Sequence, residues 1–110
     1  MSIIELSKLR RNTTIIVETE NSIFEIVVTG PKGGSVVVTG GKTFVRPTKS
    51  SFIGCIQENG FIEGKIEKDG RMQFIHQVPA DNTEKTVITS RVTAATIYAN
   101  DSSWKYDAIE

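Results

Sequence analysis

The chain has 110 residues, with thirteen Lys and Arg against thirteen Asp and Glu and a hydrophobic share of 38%, which is one domain of ordinary globular composition. Zero net charge argues against the broad basic excess that sequence-independent nucleic-acid binding draws on, and no run approaches the ~20 apolar residues of a membrane-spanning helix. The lone Cys55 has no partner for an internal disulfide, and Met1–Glu5 lacks a basic segment followed by an apolar one, so a cytoplasmic setting is expected.

The opening residues carry apolar side chains at Ile3, Leu6 and Leu9, with Ser2 and Glu5 at capping-box spacing, which predicts a short helical turn. Two β-rich runs follow, Thr13–Thr19 and Ser22–Thr29, joined through Glu20-Asn21. In the second, Phe24, Ile26 and Val28 share one face, opposite Ile23, Glu25 and Val27. Gly30–Gly34 turns the chain into Val36–Thr39, Gly40-Gly41 closes that strand, and Thr43–Val45 continues until Arg46-Pro47 is expected to break the ladder.

Ser51–Ile56 sets Phe52, Gly54 and Ile56 on one face and Ile53 and Cys55 on the other, and a glycine inside such a run predicts a bulge or a close backbone approach. Asn59-Gly60 precedes Phe61–Glu67, and Lys68-Asp69-Gly70 is expected to fold that run into a hairpin with Arg71–His76. Gln77–Lys85 reads as the longest polar loop. Thr86–Ser90 and Val92–Tyr98 are two further strands separated by Arg91. The pattern predicts an all-β domain over residues 1–99, a small antiparallel barrel of five to eight short strands, with a tail over residues 100–110.

Three stretches carry a resemblance: Val17-Glu18-Thr19-Glu20-Asn21-Ser22-Ile23-Phe24, Gly40-Gly41-Lys42-Thr43-Phe44 with Pro47-Thr48, and Ile88-Thr89-Ser90-Arg91-Val92. In these the chain resembles a family of small bacterial all-β domains of unassigned function. More generally it resembles SH3-like and Sm-like barrels, in which a short helical turn precedes five strongly bent strands. The resemblance implies a fold and transfers no activity. Between Phe52 and Phe74 the family pattern is rich in small residues, where this chain has Ile56-Gln57-Glu58-Asn59-Gly60. If that loop is the working surface, a different ligand is expected here.

Chemistry-bearing residues are sparse. His76 stands alone at the end of Met72–His76 and reads as a half-buried strand residue with a satisfied ring nitrogen. As a base for Cys55 it would have to act across a hairpin, and Cys55 lies in an apolar run where cysteine serves as a small core residue. One histidine and one cysteine fall short of a metal site, so neither metal nor cofactor is expected. Gly40-Gly41-Lys42-Thr43 has the ending of a phosphate-binding loop, but the first glycine of that motif would fall on Val36, and Phe44-Val45-Arg46-Pro47 opens no helix. What stays open is an anion-binding nest formed by Gly40, Gly41, Lys42, Arg46 and Lys49, with Phe44 to stack and Arg91 to reach a phosphate or carboxylate. Glu63 and Glu67, like Glu18 and Glu20, read as pairs on a solvent face. Asn12-Thr13-Thr14 and Asn100-Asp101-Ser102 match the glycosylation pattern by chance. Trp104 and Tyr106 in the tail read as anchors, onto the barrel or a neighbouring subunit.

The leading expectation is a non-catalytic binding module whose partner is another protein or its own copies, with a homo-oligomer favoured. The second is a receptor or sponge for a small anionic, nucleotide-like ligand. An RNA binder and a small hydrolase rank lower.

Overall fold

The computed structural model describes residues 4–78 and 80–98. The chain is all-β. Its strands are β1 (Ile4–Glu5), β2 (Thr14–Thr19), β3 (Ile23–Gly30), β4 (Ser35–Gly40), β5 (Phe44–Gln57), β6 (Gly60–Glu63), β7 (Lys65–Ile66), β8 (Arg71–Val78) and β9 (Thr83–Tyr98), with a 3₁₀ turn over Leu6–Lys8. Seven of them form one antiparallel sheet in the order β4-β3-β2-β9-β8-β5-β6, and an additional β4–β5 pairing closes it into a hydrogen-bonded ring. β1 and β7 pair separately.

Two long strands make closure possible, because each changes neighbours along its length. β5 pairs with β4 over Phe44–Ser51 and with β8 over Ser51–Ile56. β9 pairs with β8 over Thr83–Arg91 and with β2 over Val92–Tyr98. Inside the ring the alternate residues meet: Ile15 and Val17, Phe24, Ile26 and Val28, Val36 and Val38, Met72 and Phe74 are all buried. Phe74 is the aromatic centre, edge-on to Phe44 at 5.6 Å and to Phe52 at 5.5 Å between ring centroids. The β1–β7 pair adds Ile4 and Ile66 to this core, and the 3₁₀ turn adds Leu6.

The glycine reading of β5 holds. The register shifts between Phe52 and Gly54, which turns both Phe52 and Cys55 inward. A Cβ on Gly54 would strike the Ile62 carbonyl oxygen and come within 2.8 Å of Phe61 Cζ. The N-terminal helical turn is present, but no side-chain cap holds it, and Glu5 instead pairs with Lys8 and Lys65. Ser2 lies outside the described residues.

Other expectations are corrected. The strands are neither uniformly short nor limited to eight, because β5 and β9 run to 14 and 16 residues. Pro47 does not end the ladder: Val38 pairs with Thr48 and Gly40 with Phe44, so Arg46-Pro47 sits in a bulge of β5 where a missing N–H costs no ladder bond. Arg91 does not divide two strands, since an outward side chain is compatible with the continuous β9. The polar segment 77–85 is mostly strand, a hairpin whose turn is clasped by Asp81 accepting from the Thr83 N–H at 3.1 Å and hydroxyl at 2.6 Å. Those bonds draw the Asp81 carboxyl below its ordinary range. Finally, Asp69-Gly70 is a turn but not a hairpin turn. Phe61–Glu67 splits at Gly64 (φ +70), β6 pairs with β5, and β8 pairs with β5 and β9.

Candidate functional site

Ring closure leaves part of β9 with an open edge among the described residues. β9 hands over from β8 to β2 at Arg91-Val92, so Thr83–Thr89 is bonded to β8 on one side with no strand on the other among the described residues. The end of this edge is sealed by the β2–β3 turn. Glu20 N–H donates to the Arg91 carbonyl at 3.0 Å, the Arg91 N–H donates to Glu20 Oε1 at 3.2 Å, and the Asn21 N–H donates to Ser90 Oγ at 3.2 Å. Thr89 locks the strand from inside, its hydroxyl accepting from the Met72 N–H at 3.0 Å and donating to the Ser90 carbonyl at 2.8 Å.

Beside this edge lies the β4–β5 turn. Ser22, Gly41, Lys42 and Thr43 face Val87 and Ile88 across a groove of ≈ 160 Å³. Gly41 is in the left-handed region (φ +64) and lies so near Phe24 that a Cβ would stand 3.1 Å from its ring. Ile88, at 52% exposure, is a large apolar side chain left outside the core on the edge strand itself. A row of unpaired backbone groups next to an exposed isoleucine suits the addition of an extended strand.

The proposed anion set does not converge. Gly40, Gly41 and Lys42 sit at the β4–β5 turn. Arg46 and Lys49 lie exposed along β5, Lys49 opposite Val37. Arg91 lines a different groove, with Lys68 and Arg71. Phe44 is fully buried against Phe74 and His76, so it has no face to offer a ligand. Trp104 and Tyr106 lie outside the described residues, as does Asn100. The open edge of β9 was hidden because Thr83–Lys85 is polar enough to pass for loop. Arg71 carried no signal of its own, since only the strand register sets it beside Arg91.

Cys55 and His76 are not brought together. Cys55 pairs with Met72 and His76 with Lys85, four residues farther along β8, roughly 13 Å at strand rise. Burial pushes the Cys55 thiol up from its ordinary range, which is the opposite of what a nucleophile needs. Native protein is therefore expected to resist a thiol reagent at neutral pH and to react fully after denaturation; rapid labelling of the native state would contradict the buried placement. Because the folded pKa lies above the unfolded one, this group stabilises the fold below about pH 8.5, and that contribution fades at higher pH as the unfolded thiol ionises. His76 is half-buried, but its Nε2 is buried without a hydrogen-bond partner among the described residues, so the expected satisfied ring nitrogen is absent there. Glu63 and Glu67 do not share a strand: Glu63 ends β6, and Glu67 accepts from Gln57 Nε2 at 2.5 Å beyond β7. Among the described residues no three His, Cys, Asp or Glu side chains group as metal ligands, and no helix is long and apolar enough to cross a membrane.

No family model matches the chain, and neither a curated protein nor a solved structure shows significant similarity to it.

Proposed function

We propose that the domain is a non-catalytic binding module that associates through the open edge of β9, with a second copy of itself as partner. The observation behind this reading is the half-paired strand Thr83–Thr89 with Ile88 exposed on it. Charges on an edge strand ordinarily block pairing. A two-fold antiparallel pairing centred on Thr86 keeps like charges apart: it sets the two Thr86 residues opposite each other, each Glu84 opposite the partner's Ile88 and each Lys85 opposite the partner's Val87.

Sedimentation equilibrium tests this. The wild-type chain is expected to form dimers. Thr86→Glu sets two carboxylates directly opposite each other and should weaken association roughly fivefold or more, at up to about 1 kcal/mol for the like-charged pair. Thr86→Val, uncharged and β-branched, should retain it. A wild-type monomer at all concentrations, or a dimer indifferent to Thr86→Glu, would reject the edge.

The ring is best described as a small barrel in this reading. A short helical turn before long, bent strands is what the SH3-like and Sm-like comparison expects, whereas a circuit of six strands exceeds its five. A cytoplasmic setting belongs to the same proposal and is supported by the single, buried thiol.

A further inference from the structure

On the outer surface of the ring, beyond the sealed end of the β9 edge, two arginines stand side by side. Arg71 of β8 and Arg91 of β9 are direct cross-strand partners. Their neighbours Met72 and Val92 point into the core, so both arginines point outward on the same face. Like charges directly opposite each other destabilise a sheet, and neither guanidinium has a salt bridge among the described residues. Lys68, from the β7–β8 turn, joins them in lining a groove of ≈ 580 Å³. The groove is also lined by Ile56 and Gln57 at the end of β5 and by Glu58 and Asn59 of the β5–β6 turn.

We infer that this groove binds a phosphate monoester on a hydroxylated body, such as a sugar phosphate. Two guanidinium forks and one ammonium supply more cationic donors than a single carboxylate can use, and they suit the three oxygens of a phosphoryl dianion. The volume exceeds what a bare phosphate fills. Apart from Ile56 the remaining lining is polar: Glu58 and Asp69 are acceptors, the Asn59 amide both donates and accepts, and Gln57, whose Nε2 donates to Glu67, keeps its carbonyl oxygen as an acceptor, which suits hydroxyl groups. The two carboxylates make no salt bridge with the three cations among the described residues, which leaves the guanidinium forks for the ligand.

The backbone around the groove is already fixed. Asp69 N–H donates to the Val92 carbonyl at 2.8 Å and Val92 N–H donates to the Gly70 carbonyl at 2.9 Å, tying the β7–β8 turn to β9 next to Arg91. Asp69 holds the left-handed conformation (φ +70) that this turn requires. The cations therefore stand on two paired strands and a pinned turn, and little backbone ordering is left for binding.

The test is a titration of the full chain with ribose 5-phosphate, followed by the arginine Nε–H signals in ¹H–¹⁵N spectra, with inorganic phosphate and ribose as comparison probes. Saturable shifts at Arg71 and Arg91 are expected with ribose 5-phosphate, weaker ones with inorganic phosphate and none with ribose. Arg71→Gln and Arg91→Gln keep the apolar stems and should each weaken binding roughly tenfold. Each should also raise the unfolding midpoint slightly in the absence of phosphate, because it removes the facing like charge. No saturable shift with ribose 5-phosphate, or binding that survives both substitutions combined, would overturn the assignment.

Discussion

Gly40→Ala is expected to lower the unfolding midpoint by about 15 °C, the equivalent of about 3 kcal/mol in a domain of this size. Gly40 occupies the corner where three strands meet, paired with Phe24 on β3 and with Phe44 on β5. Its φ of +139° is a conformation that side chains rarely adopt, and a Cβ there would strike the Ile23 carbonyl oxygen and approach Phe24 Cα to 2.9 Å. Both obstacles are backbone, so no rotamer change relieves them. Either β4 withdraws from β3 or Phe24 and Phe44 lose their seats in the core. Gly33→Ala, in the preceding turn, is the control: nothing lies within 4 Å of its Cβ position. That change should be neutral or stabilising by up to about 1 kcal/mol, since it restricts the unfolded chain. Thermal unfolding of the two variants measures the contrast, and equal midpoints would mean that the strands do not approach so closely at Gly40.

Local grammar in the sequence reports where the chain turns and which residues face inward, but not which strands become neighbours. The alternation of Phe24, Ile26 and Val28 was legible because burial in a strand follows a period of two. Gly54 was legible because a glycine within a strand run signals close backbone approach. Asp69-Gly70 misled for a physical reason. A turn dipeptide fixes a few dihedral angles, whereas the pairing of β8 is decided by its apolar contacts with β5 and β9, far away in sequence. Pro47 and Arg91 misled in a related way. Each breaks an ideal ladder, yet each falls where a long strand bulges or changes neighbour, and there the ladder is already irregular. The same limit hid the groove. The register between β8 and β9 shifts after Arg71, and the like-charged pair it creates spans 20 residues that no motif links. The Gly40-Gly41-Lys42 signal did mark a real turn beside the open edge of β9, but its apparent aromatic partner, Phe44, belongs to the core because it is the first inward position of β5.

Phe74→Ala is expected to cost about 4 kcal/mol, enough to unfold a marginal domain at physiological temperature. Phe74 is fully buried, pairs with Phe52 on β5 and Val87 on β9, and holds two edge-on aromatic contacts at once. Truncation leaves a cavity that the surrounding strands cannot close, because the hydrogen-bonded ring fixes their spacing. It also removes two aromatic contacts worth about 0.5–1.5 kcal/mol each beyond burial. Phe74→Leu fills most of the volume and should lose roughly half as much. Denaturant titration distinguishes these outcomes, with a fall in midpoint and little change in slope if the native ring persists. The consequence reaches both surfaces, because β8 carries Arg71 at one end and pairs with Glu84 and Lys85 of β9 near the other. With Phe74→Leu still folded, sugar-phosphate binding and dimerisation should both survive at near wild-type strength, since neither site touches the ring interior. Loss of binding in a folded Phe74→Leu protein would instead show that the position of β8, rather than the charges it displays, limits recognition at the Arg71–Arg91 pair.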